Sequence, residues 1–329
     1  MDFNIIRSAR VIFHVTDLNV ARDFYVNGLG FIESECDGEN LYLRGLEEHN
    51  HHSLVLRKAK KAGVEALAFK VWSENDLEAL SLLFEKKGAD VHWFEKGSQR
   101  AIGRSFRVHD TSTGIPLEFY AEMDSVNRHL QDFHLYRGAK VQRIDHFNCM
   151  VPNVQEAFDF YINELGFRCS EYTEAQNKTW AVWLFRKPTV HDIAFMNGKG
   201  PRLHHVGFTL SDSQSVLQAC DHLASLGYAN AIERGPGRHG LSNAFFLYLK
   251  DPFGIRIELY TGDYLTSDPD FKPIRWDLND PRRATYWGQP APDSWFEETT
   301  PFLNLNSGDE IPVKDTDLTQ KKPDFSAWR

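Results

Sequence analysis

Two stretches of the chain echo each other at an offset of 136 residues: Asp17–Phe31 reads D-L-N-V-A-R-D-F-Y-V-N-G-L-G-F and Asn153–Phe167 reads N-V-Q-E-A-F-D-F-Y-I-N-E-L-G-F. Both have the signature of a helix with an Asp or Asn cap, an A-x-D-F-Y core face and a glycine stop. Val64–Val71 (V-E-A-L-A-F-K-V) then matches Leu203–Leu210 (L-H-H-V-G-F-T-L), and Gly114–Tyr120 (G-I-P-L-E-F-Y) matches Gly254–Tyr260 (G-I-R-I-E-L-Y). Three matches in one order mean a duplicated domain. Each copy divides again into strand, helix and three strands, over 8–57, 63–121, 143–196 and 202–261, with helices near 17–28, 74–87, 153–163 and 212–226. The expected fold is therefore α+β: four βαβββ units paired into two open-barrel domains, 1–135 and 136–263, joined by a polar helical or linker stretch near 122–142.

Composition narrows the function. With 329 residues, 42% hydrophobic and 25% charged, the chain has the makeup of a soluble globular protein. A net charge of −9 without a basic stripe argues against nucleic acid as a partner. No apolar run is long enough to span a membrane, and M-D-F-N-I-I-R is not a signal-peptide pattern. The four cysteines, Cys36, Cys149, Cys169 and Cys220, have no framework or CxxC spacing and read as reduced thiols of a cytoplasmic protein. Residues 264–329 hold eight prolines together with Trp276, Tyr286, Trp287, Trp295 and Trp328. Disordered tails are poor in aromatics, so this segment is expected to pack across the second domain as a lid, its last ~10–20 residues fraying or crossing to another subunit.

The 14 histidines invite a search for metal. His146 and His205 lie on the first strands of the third and fourth units, at equivalent places, and Glu258 lies on the last strand of the fourth. The matching positions in the first copy are Arg10, Ala66 and Glu118. This asymmetry points to one working domain, 136–263, and one structural domain, 1–135. Two histidines and a carboxylate on one face of a divalent ion leave positions open, the arrangement suited to oxygen-dependent Fe(II) chemistry. On a regular strand His204 faces away from His205. His49, His51 and His52 read as a solvated loop.

The run Gly237-x-His239, then Leu247-Tyr248, Asp251-Pro252-x-Gly254 and Glu258 resembles the signature of the extradiol ring-cleavage dioxygenases of the vicinal oxygen chelate (glyoxalase-like) superfamily. R-I-D-H-F-N, L-H-H-V-G-F, E-R-G-P-G-R-H-G and D-P-R-R-A-T-Y-W-G are most similar to the branch acting on 3,4-dihydroxyphenylacetate. The resemblance implies His146, His205 and Glu258 as ligands of Fe(II) or Mn(II), a catechol and O2 as substrates, a ring-opened muconic semialdehyde as product, and a homotetramer. It further implies His191 as acid–base catalyst, Asn148 near bound oxygen, Tyr248 and His239 on the substrate, and Trp183 as a pocket wall. Arg234 and Arg283 would hold a side-chain carboxylate, for which guanidinium geometry is suited; the adjacent Arg282 is the alternative to Arg283. A dioxygenase for another catechol, a glyoxalase-like metal isomerase and a ligand-sequestering protein are the competing classes.

Overall fold

The four units form where the repeat places them, and the computed structural model describes residues 2–316 and 318. The first unit holds β1 (Ile5–Val15), α1 (Leu18–Arg22), β2 (Ile32–Cys36), β3 (Asn40–Arg44) and β4 (Leu54–Lys58). The second holds β5 (Gly63–Val71), α2 (Glu74–Lys86), β6 (His92–Phe94), β7 (Ser105–His109) and β8 (Pro116–Tyr120). β9 (Arg143–Val151), α3 (Val154–Asn163), β10 (Arg168–Ala175), β11 (Lys178–Phe185) and β12 (Ile193–Asn197) make the third. β13 (Arg202–Thr209), α4 (Ser213–Ser225), β14 (Ile232–Arg238), β15 (Phe245–Lys250) and β16 (Arg256–Thr261) make the fourth, and the tail adds β17 (Ile274–Asp277), α5 (Ser294–Glu297) and β18 (Thr300–Pro301).

Local chemistry starts the helices. Asp17, Ser73, Asn153 and Asp212 sit in extended conformation and their side chains accept the orphan amides of the first turn. The helix expected over 17–28 is α-helical only to Arg22 and then widens into a π-helical turn, Asp23–Gly28. That turn buries the consecutive Phe24 and Tyr25 together.

Units one and two build an eight-stranded sheet, β2-β3-β4-β1-β5-β8-β7-β6; units three and four build the core of a ten-stranded one, β14-β15-β16-β13-β9-β12-β11-β10-β17, with β18 on β13. In each, two units join through an antiparallel pair, β1 with β5 and β9 with β13, flanked by parallel neighbours. Aromatic side chains lock the two sheets together: the Phe69 ring lies 5.7 Å from Phe147 and 5.6 Å from Phe167. Between the sheets the chain is irregular apart from a 3-10 turn at Phe133–Leu135. No described helix is long and apolar enough to cross a membrane.

The tail covers more than the second domain. β17 adds to the edge of β10, Trp295 is buried against Tyr248, and the chain then reaches the first sheet. There Leu303 N bonds the Val64 carbonyl, Leu305 N bonds His109 Nε2, and Phe302 is fully buried. Beyond the lid expected on the second domain, the tail thus also joins the first: Phe302 supplies apolar surface that the first core takes in. The end of the chain expected to fray or cross to a neighbour, Trp328 included, lies outside the described residues.

Candidate active site

Strand register assembles three side chains that could hold a metal ion. On the neighbouring strands β9, β13 and β16, Gly207 pairs with both His146 and Glu258, and His205 pairs with Asn148. Directly paired residues share a face, so all point into one barrel. Gly207 leaves the gap: a Cβ there would lie 2.1 Å from His146 Cε1. Glu258 Oε2 stands 2.9 Å from His146 Nε2 and 3.3 Å from His205 Nε2, and the three ligand atoms fall within 4.8 Å of one another.

Each imidazole is oriented from behind. Asp145 Oδ2 lies 3.0 Å from His146 Nδ1, and His204 Nδ1 lies 2.7 Å from His205 Nδ1, so both Nε2 atoms face the barrel. A bulge in β13 between Leu203 and His205 breaks the strict alternation that would have turned His204 away. Burial disfavours a charged His146, but Asp145 and Glu258 outweigh it and raise its pKa to about 9. Burial lowers His205 to about 4 in spite of Glu258. Burial likewise opposes the charge on Glu258, yet the two histidines hold it well below the carboxylate range. Two imidazoles and a carboxylate on one face, each buried and with outer nitrogens occupied, fit a divalent cation such as Fe(II) or Mn(II).

One cavity contains every residue singled out from the sequence: His146, Asn148, Trp183, His191, His205, Arg234, His239, Tyr248, Glu258 and Arg283. The His191 ring lies 3.9 Å from that of His146, and burial, then the neighbouring His146, keeps it neutral. His191 Nδ1 and Asn148 Oδ1 are buried polar atoms without a protein partner. His239 Nδ1 donates to the Ala284 carbonyl at 2.5 Å, which leaves Nε2 to accept from the Tyr248 hydroxyl at 2.8 Å. Burial and the nearby Arg234 lower His239 to about 3. Burial raises the Tyr248 hydroxyl well above its usual range, and Glu258 adds to this.

Two cations close the cavity, Arg234 from β14 and Arg283 from the lid. Arg234, 2% exposed, lies over the Trp295, Phe246 and Tyr248 rings and donates to the Ala284 carbonyl and Thr285 Oγ1. Arg283 lines the cavity with Nε bonded to the Leu278 carbonyl, whereas Arg282 faces solvent and pairs with Asp280. Burial, with Arg234 close by, lowers Arg283 to about 10. Two guanidiniums held this way are ready for an anion.

The first barrel shows the same registers with other chemistry. Arg10, Ala68, Glu118 and Arg107 stand where the second has His146, Gly207, Glu258 and Tyr248. Arg10 and Arg107 both pair with the buried Glu118. His52 occupies the place of His191 and lies 3.2 Å from Arg10 Nη1. The expectation of a solvated His49–His52 loop is therefore corrected: His49 is exposed, but His52 is 1% exposed because β4 turns it into the barrel beside Tyr42. Sequence reasoning also passed over Gly207 and Asp145, and it turned His204 away from the site. Gly207 carried a signal, being Gly in L-H-H-V-G-F where the first copy has Ala68.

Comparison with known proteins bears on this geometry. Residues 143–259 match the model of the Glyoxalase/Bleomycin resistance protein/Dioxygenase superfamily. A manganese-dependent 2,3-dihydroxybiphenyl 1,2-dioxygenase from Geobacillus genomosp. 3 is 32% identical over 293 residues, covering 84% of this chain and 92% of its own. The crystal structure of homoprotocatechuate 2,3-dioxygenase from Arthrobacter globiformis is 43% identical, with a TM-score of 0.91 over 94% of this chain and 96% of that one. The anaerobic complex of the Brevibacterium fuscum homoprotocatechuate 2,3-dioxygenase with 3,4-dihydroxyphenylacetate is 40% identical, with a TM-score of 0.92 over 95% and 98%. A duplicated βαβββ fold, a two-histidine, one-carboxylate cluster and full-length relatives of one kind agree: the chain belongs to the extradiol ring-cleavage dioxygenases of this superfamily.

Proposed function

We propose that this protein opens the ring of 3,4-dihydroxyphenylacetate with O2 between a hydroxylated and an adjacent unsubstituted carbon, giving 5-carboxymethyl-2-hydroxymuconic semialdehyde in aromatic-compound catabolism. The observation that carries the reading is one cavity with the three-ligand cluster and, on its lid side, two guanidiniums, Arg234 and Arg283. A catechol without a carboxylate gives that pair nothing to bind.

His146, His205 and Glu258 would hold Fe(II) or Mn(II). Such a metal, when bound, would supply the Lewis-acid and redox chemistry that brings a catechol and O2 to reaction. Arg234 and Arg283 grip the side-chain carboxylate and so set which ring edge faces the ligand cluster. His191, kept neutral beside His146, accepts the catechol proton and returns it as the ring opens. Tyr248 gives its one proton to His239 Nε2, so its hydroxyl oxygen accepts from a catechol hydroxyl, while the Ala284 carbonyl holds His239 in the tautomer this needs. Asn148 directs its amide toward oxygen. Trp183 and Trp295 wall the cavity and keep bulk water out.

The test is anaerobic reconstitution with Fe(II), or Mn(II) in parallel, followed by air and 3,4-dihydroxyphenylacetate. One O2 consumed per yellow product, lost in His205→Ala, is the expected result. Metal retention without O2 uptake on any catechol would remove the dioxygenase reading and favour isomerase chemistry. The free, largely buried cysteines agree with a cytoplasmic setting, and Trp72 (73% exposed) and Phe133 (72%) with a homo-oligomer, a tetramer by resemblance. Sedimentation measures that state.

A further inference from the structure

Glu171, on β10, lines no part of the cavity, yet three separate pieces of the cavity's cover converge on its carboxylate. The Ser242 amide donates to Oε1 at 2.7 Å, the Tyr264 hydroxyl donates to the same oxygen, and Trp276 Nε1 donates to Oε2 at 2.7 Å. Ser242 belongs to the β14–β15 connection, has φ of +56°, and follows Leu241; both line the cavity. Tyr264 begins the tail, and Trp276 is in β17.

Glu171 is 1% exposed and all three of its recorded partners are neutral donors. Burial raises its carboxyl above the usual carboxylate range, and the three donors oppose this. A protonated acid would turn one of its oxygens into a donor facing donors, so the arrangement suits the carboxylate and not an amide.

The consequence lies with Arg283. Leu278, two residues after Trp276, donates its amide to the Glu174 carbonyl at 3.0 Å and offers its own carbonyl to Arg283 Nε at 3.0 Å. On the other side, Gly240 N bonds the Arg282 carbonyl at 3.1 Å, two residues before Ser242. Arg283 thus hangs between two attachments, Trp276 and the 240–242 turn, and the Glu171 carboxylate fastens both.

We infer that Glu171 is a positioning residue for substrate selection: it clamps the lid strand to the β14–β15 turn and thereby fixes Arg283 where a substrate carboxylate is read. The inference rests on the proposed substrate. Steady-state kinetics of the reconstituted enzyme on 3,4-dihydroxyphenylacetate and on 4-methylcatechol, which lacks the carboxylate, test it. Glu171→Gln, equal in size but wrong in polarity, is expected to raise KM for 3,4-dihydroxyphenylacetate by about 10-fold while KM and kcat for 4-methylcatechol change less than about twofold. Trp276→Phe and Tyr264→Phe, each removing one donor, shift the same ratio in the same direction by less, and they carry the test should Glu171→Gln be insoluble. Equal changes on both catechols, or no change on either, would overturn the clamp. If the unaltered enzyme shows no preference for the carboxylate-bearing catechol, the substrate reading itself fails; Glu171→Gln then separates the two, since release of the clamp still predicts faster proteolysis of segment 274–288 in that variant, and unchanged proteolysis would overturn the clamp as well.

Discussion

At the scale of the residue, the site depends on a missing atom as much as on the groups present. Gly207 sits between His146 and Glu258 with no room for a methyl group. Gly207→Ala should leave the protein folded and weaken metal retention by about 10–100-fold, the range seen when a ligand's support is lost; competition with a chromophoric chelator measures it, and unchanged affinity would refute the steric account. His191 makes the opposite kind of contribution. His191→Asn should retain metal and lower kcat by about 10²–10⁴-fold, the usual worth of a positioned acid–base group, read by turnover alongside metal analysis. The ligand triad was legible in the sequence because the repeat put two histidines at matched positions with a carboxylate. The service of Asp145 and His204 to those ligands was not, since it depends on side-chain geometry and on a bulge that alternation cannot forecast.

Among elements, the tie that seats the lid on the barrel is Arg256. From β16 its guanidinium spans the Glu233 carboxylate of β14, the His204 carbonyl of β13, and the carbonyls of Ser294 in α5 and of Glu298 just after it. Burial opposes the charge on Glu233, but the hydrogen bonds and charge of Arg256 prevail and lower its pKa to about 2. A carboxylate depressed on folding stabilises above its unfolded pKa, and that contribution is lost as pH falls toward the folded one. Glu233→Gln should therefore lower Tm by about 2–4 °C near neutral pH, and the gap should close as pH falls from 4.5 to about 2; a gap independent of pH would speak against the ion pair. The helices and strands of the four units were readable apart from the π turn at Asp23–Gly28, because caps, glycine stops and alternation act locally, whereas β17, α5 and β18 of the tail were not. The passage of the tail onto the first sheet was not readable: nothing near Phe302 announces a partner some 240 residues away, at Val64.

For the whole molecule, two barrels with one set of registers carry different centres. Glu118 is fully buried and balances Arg10 and Arg107. Glu118→Gln should destabilise the protein by about 3–5 kcal/mol by leaving the buried Arg10 without its carboxylate and Arg107 with Glu65 alone, with metal content unaltered in the folded fraction; urea unfolding reads the first and metal analysis the second. The mirror substitution, Glu258→Gln, should abolish metal binding at far smaller cost to folding. Ala68 adds a historical reading to this contrast. An imidazole introduced by Arg10→His would meet the Ala68 methyl where His146 meets only the hydrogen of Gly207, so that change alone cannot give the first barrel a metal site. A chain carrying Arg10→His alone would crowd its neighbour and abandon Glu118, and it would still lack Ala68→Gly and Ala66→His. The division of labour between the halves is in that sense a ratchet, since any one step across leaves the first barrel worse packed and no nearer to a metal.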